Sequence, residues 1–371
     1  MEKMSDLPRE LVEVILSRVP VKSMREVRLT CKKWNTLSNH IGKAAAAREG
    51  EFLGIVMVNY RVFQISVNLH GIHNNTDSFI KPKGKLISLK DPDDVVISGI
   101  SHCEGLLLCT TGDHTRLVVW NPYTGQTRWI CLKDRFCLHF DSTYDHAIGY
   151  DKSKSCRAHK ILRFADPYFK ESVYEIYEFN FNSWRVLDVT PDWYIAYDFG
   201  CVSLKGNIYW GATDEELREG VADFLLCFDF TTERFGPHLS LPFRPYDEDD
   251  VVTLSAFGEE QLAVLFQPFR SNGMEIWVTT KIEPNAVLWS KFLAFDLRPL
   301  NDGSFLIDKE KRDVVVFHED RDVINLTRYT AYIIGENGYF RGYFREVNIG
   351  EITDNGKYLL TCSYVPSSVF F

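Results

Sequence analysis

A mainly β chain with a small all-α head is the fold class this sequence predicts, with N-terminal helices followed by a repeat-built β domain. Three observations carry it. Apolar residues recur at helical spacing only between Leu7 and Leu37. After Phe52 the pattern changes to short β-branched and aromatic runs cut by Gly, Pro, Asn and Asp, the sign of strands joined by turns. Similar turn sequences then return at intervals near fifty residues, the spacing of propeller blades.

In the head, Pro8 suits a first helical turn, where a missing N–H costs nothing, and Glu10 places a favourable charge near the helix start. Leu11, Ile15 and Val19 step by four, Val12 and Leu16 widen the stripe, and Pro20 stops it. Ser23 and Glu26 form a capping box that opens a second helix, along which Met24, Val27, Cys31, Trp34 and Leu37 share one face. Two helices of about 12 to 15 residues are marginal in water without packing, and a unit of about 40 residues is too small for a core of its own. The apolar face therefore either docks on the following domain or folds against another protein. Residues 1–50 form this head and residues 51–371 the body.

The body's repeat is visible in two series. Trp120-Asn121-Pro122-Tyr123-Thr124-Gly125, Phe179-Asn180-Phe181-Asn182-Ser183 and Phe228-Asp229-Phe230-Thr231-Thr232 each put an aromatic and an Asn or Asp before a turn, with starts 59 and 49 residues apart. Gly105, Gly206 and Gly258 each precede an apolar run and lie 101 and 52 residues apart, two units and one. A β-propeller follows, with the blade count open; a β-sandwich or irregular β domain is the alternative, because the repeat fades before residue 100 and after 300.

Composition excludes several classes. No stretch reaches the roughly 18 uninterrupted apolar residues of a membrane span, and the start lacks a signal-peptide pattern, so a cytoplasmic or nuclear location is expected. Nine cysteines with no Cys-x-x-Cys pair point to reduced thiols. Cys103 and Cys109, six apart, would share one face if that segment were extended. Ten Lys/Arg against six Asp/Glu give the head +4, while 32 against 45 give the body −13, a balance that argues against nucleic acid as the body's partner.

The run Leu7-Pro8-x-Glu10-Leu11-Val12-x-x-Ile15-Leu16-x-Arg18-Val19-Pro20, with Arg28-x-x-Cys31-Lys32-x-Trp34, resembles the F-box, the helical motif that docks a Skp-family adaptor of cullin-RING ubiquitin ligases. The resemblance implies adaptor contact by Leu7, Pro8, Leu11, Ile15, Leu16 and Val19; Leu29, Cys31 and Trp34 occupy matching positions in the second helix, some of them free instead to pack within the motif. SHCEGLLLCTT, RLVVWNPYTGQTRWI, HAIGYDK, YEIYEF, SWRVLD, GCVSLKGNIYW and YVPSS resemble, in order, the plant F-box-associated interaction domain. That implies a substrate-recognition module for an unspecified target protein.

No phosphate-binding glycine pattern or nucleophile elbow is present, and no cofactor, metal or catalytic residue is expected. His139-Phe140-Asp141 with His146 could be drawn as a metal or acid–base cluster, because His and Asp two apart on a strand share a face, but such a pair is usually a satisfied surface or turn feature. Asp91–Asp94 and the run Asp247-Glu248-Asp249-Asp250 lack calcium-loop spacing and read as solvated turns, with a basic substrate as the other possibility. Most aromatics at strand spacing belong to core; Tyr194, Tyr197 and Tyr246 are loop-placed candidates for binding. The expected function is a non-catalytic substrate-recognition subunit of a Skp-cullin-F-box ubiquitin ligase. The rivals are a ligand-binding or hydrolytic propeller whose head packs on its own body, and a nucleic-acid-binding helix pair.

Overall fold

The computed structural model describes residues 7, 8, 11, 12, 15 and 34 of the head and, in the body, 51–58, 61–68, 80–85, 95–122, 124–132, 144–153, 158–165, 173–189, 191–196, 199–214, 224–244, 250–297, 303–309, 312–321, 327–335, 340–341 and 360–363. Among the described residues, six antiparallel sheets follow one another along the body. The first holds strands Glu51–Val58, Arg61–Asn68 and Ile80–Lys85, and the second runs Ile97–Cys103, Leu106–Thr111, Arg116–Asn121 and Gln126–Cys131. The third comprises Tyr144–Asp151, Ala158–Ala165, Tyr174–Glu178 and Ser183–Leu187. The fourth centres on Asn207–Asp214 and Phe224–Asp229; its inner edge is split into Trp193–Ile195 and Cys201–Leu204, its outer edge into Arg234–Phe235 and Leu239–Ser240. The fifth is Val251–Phe257, Gln261–Gln267, Gly273–Glu283 and Ala286–Asp296, and the sixth Gly303–Asp308, Asp313–Arg321, Thr327–Ile334 and Phe340–Arg341.

Each sheet packs on the next through its own apolar cluster, as propeller blades do. Ile55 and Met57 meet Ile97 and Leu107; Leu106 and Leu108 meet Ile148 and Ile161; Leu162 and Ile176 meet Ile208 and Leu226. Leu225 and Tyr209 meet Leu254 and Leu262, and Leu265 and Ile276 meet Phe305 and Val314. The last described strand, Leu360–Ser363, then pairs with the first blade, Ile55 opposite Cys362, so one sheet joins the first and last described strands of the body and the ring closes. Covered on both faces, a middle strand has no wet side, which is why Leu106–Thr111 is buried throughout. Each fully buried Leu or Ile there contributes about 2 kcal/mol.

Both turn series of the sequence fall at equivalent places. Asn121–Gln126, Glu178–Ser183 and Asp229–Arg234 are the third-to-fourth strand connections of blades two, three and four. Gly105, Gly206 and Gly258 sit in first-to-second connections of blades two, four and five. The side chain of Asn121 forms one such turn by accepting the Thr124 N–H at 3.1 Å. One expectation is overturned. Cys103 and Cys109 are on neighbouring strands and opposite faces of blade two, because Glu104 and Gly105 (φ 47° and 82°) turn the chain between them.

In the head, Leu11, Val12, Ile15 and Trp34 are helical, and the Val12 N–H donates to the Pro8 carbonyl at 3.1 Å. Leu16, Val19, Leu29 and Cys31 lie outside the described residues.

Candidate functional site

The head's described side chains separate by direction. Leu11 is 47% exposed, whereas Val12, the next residue and about 100° around the helix, is fully buried, as is nearly all of Trp34. Pro8 is exposed, and Leu7 and Ile15 are half-buried. Leu7, Leu11 and Ile15 step by four and share a stripe with Pro8. Pro8 and Leu11 thus present apolar surface to solvent beside the inward-facing Val12. Trp34 is buried, at 3% exposed.

In the body, a four-strand meander sends its first-to-second and third-to-fourth connections out at one end, and its second-to-third connection with the link to the next blade at the other. The first end is tight: Cys103 to Leu106, Leu204 to Asn207 and Glu283 to Ala286 are joined by two residues each. Left-handed residues Asn182, Lys205 and Glu233 (φ 50°, 51° and 56°) make such turns possible. Longer links leave from the opposite end, between Cys131 and Tyr144, Ala165 and Tyr174, Asp214 and Phe224, and Ser240 and Val251. Binding residues are disproportionately carried on such connections over a rigid scaffold.

At that end of blade five lies a groove of about 460 Å³ with Phe266 at its floor and Glu275 and Ala294 beside it on the same face, whereas the neighbouring Met274 and Phe295 turn to the opposite face, toward blade six. The Phe266 ring stacks on Phe243 at 4.1 Å and 8°, which fixes the floor. The connection from Gln267 to Gly273 forms the lip and is held on several sides. Asp250 Oδ1 accepts the Phe269 N–H at 2.7 Å, and Gln267 Nε2 donates to the carbonyls of Ser271 and Leu297 at 3.0 and 3.1 Å. On it stands Phe269, 40% exposed, with the Arg270 guanidinium 4.7 Å from its ring. Glu275 receives Trp277 Nε1–H at 3.0 Å and Lys291 Nζ–H at 2.7 Å, while Asp296 is exposed.

Two histidines and four cysteines of the body are held in neutral forms. Burial, aided by Arg163 and His114, lowers His146 to about 3, and its Nδ1 lies 3.3 Å from Thr110 Oγ1. Burial alone lowers His102 to about 4, and its Nε2 accepts the Gly105 N–H at 3.0 Å. Burial raises Cys109, Cys201, Cys227 and Cys362 to about 12, so each is a thiol at neutral pH and a poor nucleophile. Among the described residues no group of three His, Cys, Asp or Glu is placed to hold a metal ion. His139-Phe140-Asp141, Asp91–Asp94 and Asp247–Asp249 are outside the described set.

Of the sequence's binding candidates, Tyr194 is half-buried on the short strand Trp193–Ile195, opposite Thr213, and Tyr197 and Tyr246 lie outside the described residues. Phe269 and the groove behind it escaped the sequence reading. The available signal was an aromatic inside the turn-forming run Gln267-Pro268-Phe269-Arg270-Ser271-Asn272-Gly273.

Comparison with known families decides the identity. The model of the F-box-associated β-propeller domain matches residues 53–371, and the F-box domain model matches residues 4–43. The chain belongs to the plant F-box proteins with an F-box-associated β-propeller domain. An F-box protein of Arabidopsis thaliana is 52% identical over 386 residues, covering 98% of this chain and 95% of the relative. An F-box/kelch-repeat protein of the same organism is 49% identical over 404 residues and covers both chains fully. A further Arabidopsis thaliana F-box protein is 49% identical over 399 residues, with 98% and 97% covered. Within the F-box span, exposed Pro8 and Leu11 and half-buried Leu7 and Ile15 lie at the sequence positions that gave the motif its resemblance.

Proposed function

We propose that this F-box protein is the substrate-recognition subunit of a Skp-cullin-F-box ubiquitin ligase. The head, residues 1–50, docks the Skp-family adaptor, and the propeller, residues 51–371, holds a target protein. The observation that carries this reading is the exposure of Leu11 beside a buried Val12 in the F-box span. Burying such a stripe on a partner gains about 25 cal/mol for each Å² of apolar surface removed from water. Leu7, Pro8, Leu11 and Ile15 make the contact, joined by Leu16, Val19, Leu29 and Cys31, with Trp34 supporting the face from within.

The chain itself performs no bond chemistry in this reading. It raises the effective concentration of a target lysine near the ubiquitin carrier and fixes its orientation, which turns a bimolecular encounter into an intramolecular one. The work would take place in the cytosol or nucleus.

The test is a pull-down of a purified Skp-family adaptor with the full chain, with a chain starting at Glu51, and with Leu11→Asp/Ile15→Asp. Retention by the full chain alone is the expected result. Retention by the chain starting at Glu51, or undiminished retention by the double variant, would place the docking face elsewhere and overturn the reading.

A further inference from the structure

We propose that the propeller takes its target at the tight-turn end between blades three and four, where Phe181 and the cations Lys152, Lys205 and Arg234 all face solvent, and that the occupant is an acidic segment of the target protein. This rests on the substrate-recognition reading and names the class of ligand for it.

Four connections converge there. The Lys152 N–H of blade three donates to Thr231 Oγ1 of blade four at 3.0 Å, which ties the connection after Asp151 to the one between Asp229 and Arg234. The Tyr150 N–H donates to the Gly206 carbonyl at 3.2 Å and brings in the turn that carries Lys205. Arg185 holds Glu178 at 2.8 Å and also Glu233, so the turn bearing Phe181 is fastened to the same place.

Phe181 is 73% exposed, the most exposed large hydrophobic side chain among the described residues. Its backbone is nonetheless fixed. The N–H groups of Phe181 and Asn182 both donate to the Glu178 carbonyl, at 3.2 and 2.9 Å, and Asn182 Oδ1 accepts Tyr177 O–H at 2.6 Å and Arg128 Nη2–H at 3.2 Å. An aromatic ring held out on a rigid turn offers apolar surface to a partner and loses little freedom on binding, so more of the contact appears as affinity.

Charge selects the partner. The carboxylates of these turns are buried or half-buried and already engaged. Asp151 accepts the Ser153 N–H and O–H at 2.9 and 2.6 Å, Asp229 the Thr231 N–H at 2.8 Å, and Glu104 the Tyr150 O–H at 2.8 Å, while Arg185 and Lys160 occupy Glu178 and Glu233. On the neighbouring hairpin of blade five, exposed Glu283 is paired with Lys281 at 3.2 Å. Lys152, Lys205 and Arg234 are exposed, and among the described residues no carboxylate lies within ion-pair distance of them. A partner therefore meets cations first, so an acidic segment is attracted and a basic one repelled, over a range of about 8 Å at physiological ionic strength. Three cations on a body of 45 acidic against 32 basic residues make too small a footprint for nucleic acid and fit a short run of Asp or Glu.

The experiment selects peptides from a randomised phage-displayed library on the full chain, with and without a purified Skp-family adaptor. Selected peptides are titrated, by fluorescence anisotropy, against the unaltered chain, Phe181→Ala, Lys152→Glu/Arg234→Glu and Arg270→Glu, the last a charge reversal at the opposite end of the ring. All four positions are exposed, so the fold is expected to survive, and thermal melting checks it. The expected result is enrichment of Asp or Glu beside a Leu, Met or aromatic residue. Binding should weaken at least tenfold with Phe181→Ala, weaken with the double reversal by a factor that shrinks as salt rises, and hold with Arg270→Glu. Enrichment of basic peptides, no enrichment, or undiminished binding to the well-folded Phe181→Ala or double-reversal chain would overturn the proposal. So would capture of a labelled single-stranded oligonucleotide that the double reversal abolishes, since the patch would then serve nucleic acid. Self-association that Phe181→Ala abolishes would overturn it too, the occupant then being a second copy. Adaptor retention is measured on the same samples. Its loss while acidic peptides bind sinks the ligase reading alone, and its persistence while peptides fail sinks the patch alone.

Discussion

Lys160 of blade three reaches into blade four and donates to Glu233 at 2.6 Å, with a second bond to the Phe230 carbonyl at 3.2 Å. Glu233 in turn receives Arg185, which also holds Glu178 at 2.8 Å, and Asp151 stands 4.0 Å from the same ammonium. The lysine side chain is only 8% exposed, so this chain of charges is an internal clamp between two blades.

Removing the lysine should therefore destabilise the ring. Lys160→Met leaves a partly buried carboxylate with Arg185 as its remaining partner, and a loss of about 2–3 kcal/mol is expected in urea unfolding, below the roughly 3–5 kcal/mol of a fully uncompensated buried charge. A loss under about 0.5 kcal/mol would mean the clamp contributes nothing.

The same clamp sets a pH dependence. Burial acts to raise the Glu233 carboxyl, but the Arg185 and Lys160 hydrogen bonds outweigh it and hold the group below the usual carboxylate range. A depressed folded-state value means stability that is present above the unfolded value of about 4.3 and lost as pH falls through the folded one. Glu233→Gln should thus lower the melting temperature clearly at pH 7 and little at pH 3. An equal drop at both would assign the effect to packing.

Two glycines should respond to alanine for different reasons. A Cβ at Gly149 would lie 2.2 Å from the Phe230 ring and 2.6 Å from the Gly206 carbonyl oxygen, so Gly149→Ala should cost about 3 kcal/mol. Gly125, at φ +72° with open space around it, carries only the left-handed backbone strain, roughly 1 kcal/mol. Parallel urea titrations compare them, and equal losses would contradict the geometry.

Thiol labelling should follow burial. At pH 8 an alkylating reagent should modify exposed Cys131 quickly, half-buried Cys201 and Cys362 more slowly because their thiols are raised to about 12, and buried Cys109 and Cys227 only once the chain unfolds. Peptide mass mapping reads the order, and labelling of Cys227 before Cys131 would contradict it.

In the head, Val12→Ala should lower stability by about 1–2 kcal/mol, while Leu11→Ala should change it by less than about 0.5 kcal/mol. Melting of the free chain tests this, and a reversed order would put the outward face inside.

The sequence alone determined the two-part pattern, the turns and much of the core. Turn chemistry is local: an Asn or Asp before a tight turn bends the chain by bonding its own backbone, so Asn121 and Asp229 announced equivalent connections without reference to anything distant. The stripe through Leu11 and Ile15 is local in the same sense, since helical spacing is a property of consecutive residues. Tertiary structure alone decided what those residues meet. That Phe179 is buried while Phe181, two residues on, is 73% exposed depends on which neighbours blade two supplies. The six-sheet ring, the pairing of Cys362 with Ile55, the clamp from Lys160 to Glu233, and the groove under Phe269 all join residues far apart in sequence. Such contacts form because closing the ring buries both faces of every blade at once, a gain that belongs to the assembled ring and to no single segment.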